Sequence, residues 1–212
     1  MSKIVPDVLL RAVGEARCRV FDWQHGVRTC GDAKVTDLTV VGNNVEHAVY
    51  YHASHPKFLF EVFSSLKIDY PSYTFVDFGS GKGRALLVAS EFPFAEIVGV
   101  ELATELHEIA ARNITNYRSK TQKCKNVQSV NVDAAEFELP LTPLVLYLFN
   151  PFRPPVLIPV LQRLQHSLDA HPRDVTLIYM APFHGPLIEQ ETALRCVEES
   201  MYHNTYRFKP QA

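Results

Sequence analysis

The sequence has no excess of either charge, no membrane-length apolar run and little glycine. Lys and Arg total 21 against 23 Asp and Glu, giving a net charge of −2 and a pI near 6.5. No Lys/Arg stripe follows a helical period, so duplex nucleic acid is not an indicated partner. No hydrophobic stretch approaches the roughly 20 residues needed to cross a bilayer. The apolar start, Met1 to Leu10, contains Pro6 and Asp7, which argues against a signal peptide. Cys18, Cys30, Cys124 and Cys196 are scattered. They show neither paired metal-ligand spacing nor a disulfide-dense pattern, and a reducing cytoplasm is the expected location. There is no internal repeat and no low-complexity tract. A chain of 212 residues is long enough to bury a full α/β core.

What glycine there is, is concentrated. Three of the nine, Gly79, Gly81 and Gly83, fall within five residues, directly after the apolar run Tyr73-Thr-Phe-Val-Asp77-Phe78. A strand that stops at Asp77 and turns on glycines into a helix is the form of a nucleotide-cofactor loop. Positive φ and close backbone approach to a ligand both call for glycine. The dinucleotide fingerprint G-x-G-x-x-G, counted from Gly79, requires a third glycine at residue 84; that residue is Arg84, and the glycine comes one position earlier. The alternative for the loop alone is a tight βα turn.

The pattern Asp-x-Gly-x-Gly-x-Gly resembles the first motif of the class I, Rossmann-like S-adenosylmethionine-dependent methyltransferases. The resemblance implies that Asp77, Gly79, Ser80, Gly81 and Gly83 hold S-adenosylmethionine. The electrostatics agree: an acid at a helix N-terminus repels a pyrophosphate but suits the amino and sulfonium groups of this cofactor.

The following segments extend the reading. Arg84 to Phe92 is an apolar, Ala-rich helix ended by Pro93, and Glu96 to Glu101 is a short buried strand ending in an acid. Glu101 lies about twenty residues past the glycines, where a ribose-binding acid belongs. A helix is predicted from Ala103 to about Tyr117, with Leu106, Ile109, Ala110 and Ile114 on one face. The run Arg118, Lys120, Lys123 and Lys125 is a basic, solvated loop. The third strand, Val127 to Val132, ends at Asp133-Ala134. By resemblance, Asp133 accepts the adenine amino group, and Leu102 and Ala134 adjoin the same cofactor.

The fourth strand, Leu144 to Phe149, runs into Asn150-Pro151-Phe152. This resembles the fourth motif of amino-group methyltransferases, Asp/Asn-Pro-Pro-Tyr/Phe, with one proline fewer. It implies that Asn150, Pro151 and Phe152 orient the acceptor, with Asn150 also beside the cofactor. The Asn150 side-chain oxygen and a nearby carbonyl accept the hydrogens of an amine and aim its lone pair. Pro151 stiffens the turn, and Phe152 lies against the substrate. A strand-ending turn with a packed Phe is the alternative.

A helix over Val156 to Leu168, a strand from Asp174 to Met180, a short helix over Pro186 to Arg195 and two strands within Cys196 to Phe208, joined near His203-Asn204, complete the chain. The expected fold is α/β, a Rossmann-like, mostly parallel seven-stranded sheet with helices on both faces and an N-terminal helical extension. Residues 73–212 form the S-adenosylmethionine-binding domain. Residues 1–72 form the extension and cofactor lid, with helices at Val8 to Phe21 and Pro56 to Leu66. The stretch Tyr51 to Ser54 loosely resembles the Tyr-x-Pro-Ser/Thr element of the Dot1-like and ATP-synthase c-subunit lysine methyltransferases, with Ala53 at the proline position. His47, His52 and His55 lack a completing carboxylate or Cys, so no metal is expected. His52 and Tyr51 are candidate bases by location alone.

These features point to an S-adenosylmethionine-dependent N-methyltransferase of an amine, such as a protein lysine. A small-molecule or nucleic-acid methyltransferase, a non-enzymatic module that kept the fold, and an NAD-binding oxidoreductase are the competing readings. Acceptor identity and oligomeric state are not encoded in any transferable motif.

Overall fold

The apolar runs pair side by side in one sheet. The structure is a computed structural model and describes residues 16, 18–31, 38–41 and 54–210. Its strands are β1 (Thr74–Phe78), β2 (Glu96–Glu101), β3 (Val127–Asn131), β4 (Leu144–Phe149), β5 (Val175–Met180), β6 (Arg195–Glu199) and β7 (His203–Phe208). They order as β3-β2-β1-β4-β5-β7-β6, seven strands in all. β1 to β5 pair in parallel, and β7 inserts antiparallel between β5 and β6. The chain winds outward from β1 in one direction, returns to β4 and winds the other way. The C-terminal edges of β1 and β4 therefore flank the crevice at which such sheets bind ligands.

The helices are α1 (18–25), α2 (Pro56–Ser64), α3 (Arg84–Ala89), α4 (Thr104–Asn116), α5 (Pro154–Ala170) and α6 (Gly185–Glu191). Strand alternation divides the core. Phe75, Val145, Tyr147 and Ile178 meet α2 and α3, whereas Val76, Phe78, Leu146 and Tyr179 meet α5 and α6. Val160, Leu161, Leu164 and Leu168 of α5 are all buried, as their spacing requires.

Several bounds differ from expectation for local reasons. α3 stops at Ala89, before Phe92, because the Ser90 carbonyl accepts Lys123 N and Cys124 N at 2.8 and 3.0 Å instead of continuing the helix. α5 starts two residues early: Pro154 and Pro155 occupy its first turn, where a missing N–H costs nothing. α6 ends at Glu191, where Thr192 Oγ1 caps the Ile188 carbonyl at 2.6 Å. The β6–β7 turn lies at 200–202, just ahead of His203. Of the first predicted helix, residues 8–15 lie outside the described residues; the described part runs on to His25. His47, Tyr51, His52 and Ala53 also lie outside them.

The cysteines depart most from expectation. Cys18 and Cys30 are disulfide-bonded with Cα atoms 5.8 Å apart, while Cys124 and Cys196 are free. Spacing alone did not reveal the pair, because the chain after α1 folds back on the helix. Among the described residues no helix is long and apolar enough to cross a membrane, and no group of His, Cys, Asp and Glu is placed to hold a metal.

Candidate functional site

The loop after β1 is stitched to its neighbour. Gly79 N and Ser80 N both donate to Val100 O, at 2.9 and 3.1 Å, and Gly83 N closes on Ser80 O at 2.9 Å. Gly79, Gly81 and Gly83 all have positive φ, +75°, +55° and +83°. At Gly79 the lack of a side chain is also steric: a Cβ there would stand 2.6 Å from Pro151 Cβ. Gly99, in the middle of β2 with no motif to mark it, serves the same loop from below. A Cβ at residue 99 would lie 2.7 Å from Ser80 Oγ and 2.6 Å from Leu86 Cδ1. Ser80 is thus turned toward the sheet, and its buried Oγ has no hydrogen-bond partner among the described residues.

Three buried acids stand at successive strand ends: Asp77 on β1, Glu101 on β2 and Asp133 just beyond β3. Glu101 receives Gly81 N on Oε2 at 2.6 Å and Ala103 N on Oε1 at 2.9 Å. Each oxygen keeps capacity for one more donor. Burial pushes the Glu101 carboxyl up, partly offset by these backbone N–H groups. Asp77 is pushed well above the ordinary carboxylate range, first by burial and second by the negative Glu101. It makes no hydrogen bond among the described residues. A buried, unpartnered carboxylate beside a second acid is a site that a cation would relieve. Asp133 Oδ1 accepts Ala135 N at 2.9 Å, so its backbone turn is preset. Leu102 and Ala134 flank the acids; Leu102 O receives Val41 N at 3.1 Å and Asn131 Nδ2 at 3.1 Å.

The extension covers this loop. Residues 38–41 cross the end of β2 through a Val40–Ala103 bridge and a Thr104 N to Thr39 O bond of 2.9 Å. Residues 22–31 converge on Arg84, the first residue of α3, which is only 3% exposed. Its guanidinium donates to Thr29 Oγ1 at 2.8 Å and to Ser54 O at 3.2 Å, and it stands 3.6 Å from Asp22 Oδ1. Nη2 also reaches Cys18 Sγ at 2.6 Å and Cys30 Sγ at 3.3 Å. Asp22 in turn accepts Thr29 N and Cys30 N at 2.7 and 2.9 Å. From the loop itself, Lys82 Nζ donates to Cys30 O and Gly31 O at 2.7 and 2.8 Å. In the sequence Arg84 stands where a dinucleotide loop has its third glycine and where a helix begins; no local signal marks it as the anchor of the extension.

The turn after β4 forms the opposite wall. Asn150 has φ +42°, and Ala181, at the end of neighbouring β5, has φ +45°. Asn tolerates this region; for Ala it costs about 1 kcal/mol or more. Tyr179 OH donates to Asn150 Oδ1 at 3.2 Å. Burial raises the Tyr179 hydroxyl to about 12, so it remains a donor at neutral pH. Pro151 packs on Gly79, which joins this turn to the glycine loop. The Phe152 ring is 9% exposed and belongs to the α5-side core, not to the open crevice as expected. Tyr147, beside Asp77 in register, bonds Ser54 Oγ at 2.8 Å, and burial and the Asp77 charge push its hydroxyl up. Ser54 is the one described residue of the Tyr51 to Ser54 segment. Neither Tyr147 nor Tyr179 was distinguishable in sequence from other strand aromatics.

The arrangement of loop, acids and crevice has known counterparts. Residues 42–138 match the family model described as Histone methylation protein DOT1. No curated protein sequence matches the chain. Among solved structures, a candidate RNA methyltransferase from Pyrococcus horikoshii is 18% identical, with a TM-score of 0.55 over 82% of this chain and 92% of its own. A candidate N6-adenine-specific DNA methylase from Listeria monocytogenes is 11% identical, with a TM-score of 0.55 over 74% of this chain and 52% of its own. A candidate methyltransferase complexed with SAH is 12% identical, with a TM-score of 0.52 over 74% and 53%. The chain thus spans about half the length of the last two. The fold is that of the class I, Rossmann-like methyltransferases, and residues 42–138, which hold the glycine loop and the three acids, are similar in sequence to the DOT1 model.

Proposed function

We propose that this chain transfers the methyl group of S-adenosylmethionine to the nitrogen of an amine, with a protein lysine as the acceptor. The observation that carries the reading is the Asn150 turn. A side-chain amide with its oxygen steadied by Tyr179 stands at the end of β4, one proline away from contact with the cofactor loop.

The residues fit the cofactor. Asp77 offers a buried, unpartnered carboxylate to its cationic end, Glu101 has free capacity for ribose hydroxyls, and Asp133 takes the adenine amino group. The positive-φ glycines bring backbone close to the ligand. When bound, the cofactor supplies a methyl group on sulfonium, which leaves as a neutral thioether. The protein's work is positioning and exclusion of water. Asn150 Oδ1 retains one acceptor site after Tyr179 and uses it on an amine hydrogen, directing the nitrogen lone pair at the methyl carbon. Pro151 holds that amide in register with Gly79. Residues 22–31 and 38–41, fastened by Arg84 and Ala103, shield the loop. A lysine sheds its proton before attack, so the rate rises with pH toward the ordinary lysine range near 10.

The DOT1 match supports a protein acceptor, and it spans the glycine loop and all three acids. A nucleic-acid amine is the second reading. It is favoured by the Pyrococcus horikoshii structure, whose length is matched over 92%, and disfavoured by the net charge of −2.

The test is transfer of labelled methyl from S-adenosylmethionine into a cell extract, fractionated into protein, nucleic acid and small molecules, with wild type and Asn150→Ala. Label in a protein band that requires Asn150 supports the lysine reading. Label in RNA or DNA establishes the second. Cofactor binding with no transfer into any fraction sinks both in favour of a binding module.

A further inference from the structure

We propose that the Cys18–Cys30 disulfide is a redox-sensitive latch on the glycine loop, opened by a dithiol reductant and closed again by oxidation. The proposal rests on the reading of that loop as the cofactor site. The bond joins the start of α1 to the segment that returns from it, across 12 residues of sequence and with Cα atoms 5.8 Å apart. The backbone of that segment is fastened to the glycine loop by hydrogen bonds. Lys82, between Gly81 and Gly83, donates from Nζ to Cys30 O and Gly31 O at 2.7 and 2.8 Å. Asn113 of α4 bridges the two segments: it accepts Arg28 N on Oδ1 at 2.8 Å and donates from Nδ2 to Lys82 O at 2.8 Å. Arg84 Nε donates to Thr29 Oγ1 at 2.8 Å. Residues 28–31 thus hold the loop, and the disulfide fixes where residues 28–31 lie. Opening the bond returns conformational freedom to the segment between the cysteines, and local opening becomes more frequent as a segment loses its restraints.

The surroundings of the bond suit exchange. Cys18 and Cys30 are both partly exposed, so a small thiol reaches them, and exposed disulfides are the labile class. The Arg84 guanidinium stands 2.6 Å from Cys18 Sγ and 3.3 Å from Cys30 Sγ. There it offsets the negative charge that develops on the leaving sulfur when a thiolate attacks. A thiolate of the reductant attacks one sulfur, the Cys18–Cys30 bond breaks and a mixed disulfide forms. The second thiol of the reductant then displaces the remaining cysteine. Two electrons and two protons pass to Cys18 and Cys30, and the reductant leaves as its own disulfide. The same Arg84 therefore touches the redox pair and opens the helix that follows the glycine loop. Cys124 and Cys196 are free and serve as internal controls.

The test compares the full chain oxidised, reduced with dithiothreitol, and reoxidised with oxidised glutathione. Without denaturant, alkylation followed by mass measurement should modify Cys18 and Cys30 only after dithiothreitol. Hydrogen exchange over residues 28–31 and 79–84 should quicken about fivefold or more on reduction and recover on reoxidation. In calorimetric titration, S-adenosylmethionine should bind the reduced form about tenfold more weakly. Cys18→Ser/Cys30→Ser should match the reduced protein in both readouts and ignore dithiothreitol, whereas Cys124→Ser/Cys196→Ser should respond as wild type does. A bond that dithiothreitol opens only after unfolding overturns the latch. So does hydrogen exchange that is identical in the oxidised and reduced chains, or a measurable affinity that is. Exchange that responds to reduction while neither form binds S-adenosylmethionine upholds the redox opening and overturns the cofactor reading instead.

Discussion

Pro151 lies so close over Gly79 that a Cβ on the glycine would approach the proline Cβ to 2.6 Å. The contact joins the loop after β1 to the turn after β4 and leaves no room for a side chain between them. Gly79→Ala combines this clash with a φ of +75°. It should cost roughly 1–3 kcal/mol in denaturant unfolding. Calorimetric titration should show weakened S-adenosylmethionine binding as well. Unchanged stability and affinity would mean that the two segments are free to separate.

Asp77 makes the unliganded protein pH-dependent. Its carboxyl is raised well above the ordinary value of 3.8 by burial and by Glu101. The folded state therefore holds a proton that the unfolded chain releases. That stability is fully present below the ordinary carboxylate range and is lost as pH rises through the raised folded value. Melting temperature against pH should fall across this window in wild type, and Asp77→Asn should flatten the fall. A cationic ligand reverses the preference of Asp77. Binding of S-adenosylmethionine should therefore release a proton and tighten with pH until Asp77 is ionised in the free protein. A pH-independent affinity would remove Asp77 from the cofactor site.

Tyr179 and Asn150 separate by kinetics. Asn150→Ala removes the acceptor-orienting oxygen and should lower kcat on the order of 10²-fold. The KM for S-adenosylmethionine should change little. Tyr179→Phe keeps the ring in the core and removes only the 3.2 Å hydrogen bond. It should lower kcat less than Asn150→Ala, again without a large KM effect. A rise in cofactor KM in both variants would place the pair on the cofactor side of the crevice instead.

Arg84 should hold the extension down. Arg84→Met leaves Asp22 without its cation and Thr29 and Ser54 without their donor. The loss should be on the order of 3 kcal/mol. Hydrogen exchange over residues 22–31 should quicken more than over β4. In the unreduced wild type, alkylation followed by mass measurement should modify Cys124 and Cys196 on unfolding and spare Cys18 and Cys30. Four modified cysteines would show the bond to be absent.

The strands were the most legible part of the chain. Glu96–Glu101 and Leu144–Phe149 have the bounds expected from their apolar runs, because a strand covered on both faces must be apolar at nearly every position. Helix ends were less legible. Ser90 lies beyond the end of α3 because the loop before β3 takes its carbonyl, a partner no local pattern announces. Phe152 was expected at the substrate and packs in the core. Ser80 was expected at the cofactor and turns over Gly99.

The order of Asp77, Gly79, Gly81, Gly83, Glu101, Asp133 and Asn150 is a property of the sequence by itself. Each follows from local chemistry: an apolar strand, a turn that needs positive φ, an acid at a strand's end. The sheet order then brings the strand ends to one edge. The tertiary structure alone decided what these residues touch. Arg84 meets Asp22 and Thr29, Tyr179 reaches Asn150, and Pro151 closes on Gly79. Such contacts join residues distant in the chain. Their energies come from burial and geometry, and these exist only once the sheet has formed.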